Sequence, residues 1–118
     1  MNKAGKAVAP TIESFSAAAA KANWEETPGF GVILTNEAGT ASWPIAGATF
    51  ILIHKQPGDP AAAGAALKFF NWAYAKGGKM AEELDYVPMP AKVVSAVQRL
   101  WAAQIKDASG KPLFVPSK

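Results

Sequence analysis

The chain has 118 residues, of which 50% are hydrophobic and 18% charged, with 12 Lys and Arg against 9 Asp and Glu. This length fits one domain at most, and the apolar share is too high for an intrinsically disordered chain. The net charge of +3 is small and scattered, with Arg99 as the sole arginine, which argues against a dedicated nucleic-acid binder. The absence of Cys excludes disulfides, Cys-based metal sites and thiol nucleophiles.

Helical periodicity accounts for most of the chain. The predicted helices run over Thr11–Ala22, Asp59–Lys76, Lys79–Leu84 and Pro90–Ile105. Thr11 and Asp59 are the predicted N-caps of the first two helices, and the second is expected to end at Gly77-Gly78 through a glycine with positive φ. A Gly-rich, polar stretch from 25 to 42 predicts a long loop, which is typical of a segment that serves a site or joins two lobes.

Aromatic residues crowd the second predicted helix, at Phe69, Phe70, Trp72 and Tyr74. Because they follow helical spacing and are not interleaved with basic residues on strands, core packing explains them better than base stacking. They predict a helix that is buried on more than one side.

The segment Gly47–His54 carries the strongest strand pattern of the sequence. Its odd-numbered and even-numbered residues both include large apolar side chains, so both faces of the strand are apolar. Such a strand is typical of the centre of an α/β sheet, covered on both sides. We therefore predict a central strand, with slowly exchanging amide protons, flanked by strands that this chain mostly lacks.

No constellation of side chains predicts catalysis. His54 is the only histidine, and no neighbouring motif supplies a nucleophile and an orienting carboxylate, so a structural or solvent-facing role is favoured. Glu25-Glu26 and Glu82-Glu83 are adjacent pairs, which do not face each other on a helix. Gly77-Gly78-Lys79 is explained by helix termination rather than by a phosphate loop. The sequence predicts no enzyme, no catalytic residue, no metal site and no cofactor.

Several motifs, taken together, carry a resemblance to a known family. They are Trp43-Pro44-Ile45, Phe50-Ile51-Leu52-Ile53-His54-Lys55, the run 67–74 (LKFFNWAY), the run 84–90 (LDYVPMP) and the run 105–113 (IKDASGKPL). In this order and spacing they resemble the periplasmic phosphate-binding protein of the bacterial phosphate-specific ABC transporter. The likeness covers nearly the whole chain.

The resemblance implies an α/β chain with a partial periplasmic-binding-protein (type II) fold, the C-terminal part of a two-lobed protein. Residues 1–42 would end the second lobe, 43–49 would cross the hinge, and 50–118 would form the C-terminal part of the first lobe. The implied function is the substrate-binding component of a phosphate ABC importer, which captures inorganic phosphate between two lobes for delivery to the membrane permease. The implied location is the periplasm, although Lys3 and Lys6 precede no apolar run that would form a signal peptide.

The phosphate ligands of that family have no counterpart in this sequence. Arg99 matches no ligand motif. In the family an Arg is followed by Ser-Gly-Thr, whereas Ala38-Gly39-Thr40 has neither the Ser nor the preceding Arg. No phosphate-binding residue is carried over, so the chain alone is predicted not to bind phosphate specifically. It is expected to self-associate or to pair with the missing N-terminal part, and not to bind nucleic acid. The alternative is a free-standing small interaction protein on the same scaffold, self-assembling and without phosphate binding.

Overall fold

The computed structural model describes residues 1–116, so the last two residues of the predicted segment 50–118 lie outside the described part. Its helices are α1 (Ile12–Lys21), α2 (Pro60–Lys76), α3 (Gly78–Glu83) and α4 (Ala91–Gln104), with a short 3-10 turn at Pro28–Phe30. The four predicted helices are therefore confirmed in position and type. The Cα radius of gyration is 15.8 Å, compared with about 13.5 Å for a compact domain of this length. The chain is more open than a closed domain.

The predicted caps of α1 and α2 are formed as expected. The Thr11 hydroxyl accepts a hydrogen bond from the Ser14 N–H at 3.3 Å, and the Ser14 hydroxyl oxygen accepts one from the Thr11 N–H at 3.0 Å. This reciprocal pair satisfies two backbone donors at the helix start. At α2 a carboxylate oxygen of Asp59 accepts from the N–H groups of Ala61 and Ala62, each at 3.0 Å.

The end of α2 departs from the prediction of a glycine with positive φ. Gly77 has φ −84 and ψ −1, which are ordinary right-handed helical angles. What requires glycine there is space, because a Cβ atom would lie 2.7 Å from the backbone oxygen of Ala73. Gly78 then begins α3 and has no such close contact, since a Cβ there would meet the Pro88 ring at 3.7 Å.

The predicted central strand is not formed in this chain. Gly47–His54 has no regular secondary structure, and among residues 1–116 its backbone pairs with no other backbone segment. Phe50, Ile51 and Leu52 are 46%, 54% and 94% exposed, and only Ala48 and Ile53 are half-buried, so each face is covered only in part. A strand requires a hydrogen-bonded neighbour, and the only β-pairing within the described residues consists of two isolated bridges. The α/β sheet therefore remains unconfirmed, and the described chain is mostly helical.

The aromatic crowding of α2 likewise leaves one face uncovered. Leu67 is fully buried and Phe70 is half-buried, as expected for the inward face. Phe69 and Trp72, whose ring centroids lie 6.0 Å apart, are both largely exposed. The prediction that α2 is buried on more than one side is wrong for this chain, because no described element lies over that second face.

Two apolar clusters hold the helices together. The first consists of Ala18, Ala19, Trp24, Leu34, Ala46 and Val93. The second consists of Leu67, Trp101, Ile105 and Phe114. The half-buried side chain of Val97 packs against both clusters. α1 thus contacts α4 directly, although the resemblance assigns these helices to different lobes.

A buried asparagine ties the N-terminal turn to the long loop. The Asn2 side-chain amide donates to the backbone oxygens of Gly39, Thr40 and Ser42 at 3.1, 2.9 and 3.2 Å. Its carbonyl oxygen accepts from two N–H groups of its own turn, at 3.1 and 3.0 Å. The residue is 6% exposed; its bond to the Ser42 oxygen is buried, and its other bonds are partly buried. No sequence pattern indicated this contact.

We expect Asn2→Ala to lower the free energy of unfolding by about 1–3 kcal/mol, because the buried Ser42 oxygen and the partly buried oxygens of Gly39 and Thr40 lose their donor. Lys3→Ala, at the neighbouring exposed position, is the matched control and is expected to leave stability unchanged. Urea denaturation followed by tryptophan fluorescence measures both. Equal midpoints for the two variants would contradict the role of Asn2.

The two adjacent glycines after α2 are expected to respond oppositely to alanine. Gly77→Ala places a methyl group against the Ala73 oxygen and should destabilise by about 1–3 kcal/mol. Gly78→Ala meets only ordinary contacts inside a helix and should stabilise by up to about 1 kcal/mol. Thermal unfolding by circular dichroism compares them. A Gly77→Ala variant as stable as Gly78→Ala would show that close approach does not fix this helix end.

Candidate functional site

An apolar cavity lies where the segment after the predicted hinge passes between α1 and α2. Its volume is about 520 Å³. The large side chains on its wall are Phe15, Leu34, Ile51, Phe70, Tyr74 and Met89. Backbone from the start of Gly47–His54 forms one side, and the segment 85–89 forms another. The cavity is therefore built by elements from both sides of the predicted hinge.

The charge of the cavity does not suit an oxyanion. Asp85 is the one charged residue among those that line it, and the uncharged polar side chains of the lining are those of Ser16, Thr49, Tyr74 and Tyr86. A phosphate dianion requires guanidinium, ammonium or converging N–H donors, whereas a carboxylate repels it. The cavity thus offers an apolar wall and no cationic group.

The sole arginine is engaged elsewhere. The Nη2 atom of Arg99, on α4, lies 2.7 Å from the Oε1 atom of Glu25, and both side chains are 62% exposed. Such an exposed pair contributes about 0.2–1 kcal/mol at most. Glu26 instead accepts a hydrogen bond from the Asn23 amide. Glu25-Glu26 therefore serves surface contacts, which agrees with the solvated role expected for adjacent acidic residues.

The remaining candidate residues are dispersed over the surface. His54 is exposed at the end of the apolar segment, and Glu82-Glu83 is exposed at the end of α3. Within residues 1–116 no group of three metal-ligating side chains comes together. No helix of that part of the chain has the length and apolar character needed to cross a membrane.

A carboxylate that sequence reasoning did not single out organises the C-terminal turn. One Asp107 oxygen accepts from the Ser109 N–H and hydroxyl at 2.8 and 2.6 Å and from the Lys111 N–H at 2.9 Å. These bonds, led by that from the Ser109 hydroxyl, lower the pKa of Asp107. The turn is closed by the bridge between Lys106 and Pro112. Asp-x-Ser-Gly is a local turn signal that could have predicted this role.

Comparison with known proteins identifies the class that the motifs indicated. No protein-family model matches the chain, but curated relatives named as phosphate-binding proteins match nearly all of it. PstS of Pasteurella multocida is 50% identical over 113 residues, which are 96% of this chain and 33% of that protein. PstS of Haemophilus influenzae is 50% identical over 90% of this chain and 32% of its own length. PstS of Xylella fastidiosa is 44% identical over 89% of this chain and 29% of its own length.

The resemblance to the phosphate-binding proteins is thereby confirmed across nearly the whole chain. The chain spans about a third of the length of the curated relatives that it matches. These relatives are named for binding rather than for catalysis, which agrees with the prediction that the chain is not an enzyme.

The tyrosine on the cavity wall provides a test of how α2 packs on α4. The rings of Tyr74 and Trp101 have centroids 6.0 Å apart, and burial raises the pKa of the Tyr74 phenol above its usual 10.0. A raised folded-state pKa means that stability is unaffected below about pH 10 and falls as the pH rises from there through the folded-state pKa. Tyr74→Phe should lose less stability between pH 9 and pH 11.5 than the unmodified chain.

Tyr86→Phe is the matched control, since it removes the same hydroxyl group from a residue that is 61% exposed. Urea unfolding at a series of pH values measures all three proteins. Identical declines for the unmodified chain and Tyr74→Phe would contradict burial of this phenol against Trp101.

Proposed function

We propose that the chain is the C-terminal part of the substrate-binding component of a phosphate ABC importer, which acts in the periplasm and delivers phosphate to a membrane permease. The observation that carries this proposal is the 50% identity over 113 residues to a phosphate-binding protein. Identity at that level over 96% of the chain favours the transport role over a free-standing interaction protein.

In this proposal the chain supplies scaffold, and the residues that bind phosphate lie elsewhere in the protein. Three observations support this assignment of the phosphate ligands to other residues. The apolar cavity has no cationic lining residue, the guanidinium of Arg99 is paired with Glu25 at the surface, and His54 is not directed into the cavity lining. Capture of a dianion requires several convergent donors in a site that excludes water.

The contacts around Trp43–Thr49 support its assignment as a hinge crossing. Before the crossing, the Trp43 N–H donates to the Ser14 oxygen at 3.0 Å, and the Asn36 N–H donates to the Pro44 oxygen at 2.9 Å. From Gly47 to His54, beyond the buried Ala46, no such bond occurs within the described residues, and the next is the bond from the Lys106 N–H to the Lys55 oxygen. A segment held at one end and free at the other is suited to closure of two lobes about a few residues. The direct packing of α1 on α4 would then be a contact between lobes 1–42 and 50–118.

We likewise propose an α/β fold for a protein as long as the relatives, of which this chain would be the C-terminal part. With neighbouring strands supplied, both apolar faces of Gly47–His54 would be covered, and the exposed face of α2 at Phe69 and Trp72 would gain a packing surface. Fully burying one side chain of this size stabilises by about 1.5–3 kcal/mol. Burial of several would account for a stable sheet at this position.

Isothermal titration calorimetry with phosphate and sulfate at 0.15 M salt tests whether the residues that bind phosphate lie outside this chain. The chain alone should give no saturable heat, because its +3 charge is screened beyond about 8 Å and does not distinguish the two anions. The chain co-expressed with the first two thirds of the Pasteurella relative should bind one phosphate and leave sulfate silent. Arg99→Ala should not alter that affinity.

Saturable phosphate binding by the chain alone would contradict our assignment of the ligands to other residues. A co-purified complex that binds no phosphate would overturn the proposed function. The two failures are distinguishable because the first requires only the 118-residue chain, whereas the second requires a complex shown to have formed.

A further inference from the structure

A buried polar network holds the chain at the point where it enters the hinge crossing 43–49. Ser42 is 1% exposed and Asn2 is 6% exposed, so the centre of the network lies inside the protein. The Asn2 side-chain amide donates to three backbone oxygens of the segment 39–42, at 3.1, 2.9 and 3.2 Å. The Ser42 hydroxyl donates to the Ala38 oxygen at 2.8 Å. A buried network whose members all have partners specifies one arrangement of the chain.

Gly39 shows how closely this segment is folded. Its φ of +123 is a conformation that residues with a Cβ atom rarely adopt. A Cβ atom at this position would also lie 2.9 Å from the Ser42 hydroxyl oxygen. Both the backbone conformation and the available space therefore require glycine. The segment before the crossing is thus built to one shape.

The first residue of the crossing is held from a second side by α1. The Trp43 N–H donates to the Ser14 oxygen at 3.0 Å, and the centroids of the Trp43 and Phe15 rings lie 6.1 Å apart. The residue before Trp43 is the one that the buried network holds, so the chain enters the crossing between two fixed contacts. Beyond the buried Ala46, no backbone bond restrains residues 47–54 within the described part of the chain.

We propose that Asn2 is a positioning residue for the crossing, because it fixes the direction in which the chain leaves residues 1–42 towards residues 50–118. Its consequence rests on the proposed function: the fraction of molecules oriented to close on phosphate depends on Asn2. When the base of the crossing loosens, that fraction falls, and the apparent affinity for phosphate falls in proportion. Asn2 acts through Ser42, since its amide is already used by backbone oxygens.

Asn2→Asp separates the two halves of the network. Aspartate keeps an acceptor for the N–H groups of Ala4 and Lys6, which bond to the Asn2 side-chain oxygen at 3.1 and 3.0 Å. At neutral pH it is ionised, so it offers no donor to the three backbone oxygens and repels them. Asn2→Ala removes the donors without adding a charge and should give the same changes to a smaller extent. It replaces the aspartate variant in every comparison below if that variant does not fold.

Gln98→Ala is the matched control for a general loss of stability. The Gln98 amide donates to the Asn71 side-chain oxygen at 2.7 Å, and both partners lie within residues 50–118. This bond is partly buried, so its loss should lower stability. The control therefore destabilises the chain without loosening Ser42.

Amide hydrogen exchange in the 118-residue chain tests the positioning itself. The Trp43 and Asn36 amides are bonded at the entry of the crossing, and the Leu113 amide is bonded within residues 50–118. Asn2→Asp should speed exchange of the first two about tenfold and leave that of Leu113 unchanged, because only the entry opens locally. Gln98→Ala should not single out the entry. Equal acceleration at all three amides would show a general loss of stability, and no acceleration would show that the entry is held without Asn2; either result contradicts the proposal.

Phosphate titration of the complex with the first two thirds of the Pasteurella relative tests the consequence. The Asn2→Asp complex should bind phosphate more weakly than the unmodified complex by about fivefold or more, whereas the Gln98→Ala complex should bind it as tightly. Equal affinities for the Asn2→Asp and unmodified complexes, or an equal loss in both variants, would overturn the inference and leave the proposed function standing. An unmodified complex that binds no phosphate would overturn the proposed function, and hydrogen exchange would still decide whether Asn2 positions the crossing.

Discussion

The backbone of Gly47–His54 is the constraint on which the arrangement of this chain depends. Its peptide groups have no backbone partner among residues 1–116, and an unpaired peptide group buried away from water is costly. The segment therefore stays at the surface despite its apolar side chains. Because it cannot enter the interior, the helices cannot pack onto a sheet, and they pack onto one another instead. The cavity of about 520 Å³ beside the segment is the space left by that arrangement.

Helix packing then divides into two clusters with one shared residue. Trp24 and Val93 lie in the cluster beneath α1, and Leu67 and Trp101 lie in the cluster beneath α2. Val97, one turn of α4 beyond Val93, touches both. α4 is thus the element that joins the two parts of the chain. Helical spacing predicted its inward stripe, but no sequence pattern indicated that two separate clusters would use it.

Local signals predicted the helices well because their physical causes are local. Thr11 and Asp59 bond to N–H groups within three residues, and such contacts can be inferred from sequence spacing alone. The ion pair between Arg99 and Glu25 joins residues 74 positions apart, and the Asn2 contacts reach about 40 positions. Such contacts depend on the fold and leave no pattern in the sequence.

The predicted strand is unconfirmed in this chain for a different reason. Alternation of side chains along Gly47–His54 describes the faces that a strand would present, but pairing depends on edges, and edges require a neighbour. Gly77 illustrates the same limit on a smaller scale. The sequence indicated a glycine at a helix end, whereas the need for glycine arises from the Ala73 oxygen one turn earlier rather than from the sign of φ.

The distribution of charge explains why strong similarity to phosphate-binding proteins coexists with a chain that presents no anion site. The cavity wall is apolar with a carboxylate at Asp85, and the guanidinium of Arg99 lies at the surface on Glu25. In our proposal the chain supplies scaffold from parts of both lobes, and the groups that bind phosphate lie elsewhere in the protein. A scaffold is preserved by packing, capping and turn contacts, such as those of Leu67, Asp59 and Asp107, and none of these contacts requires an anion ligand. Strong similarity to the relatives can therefore rest on such residues alone.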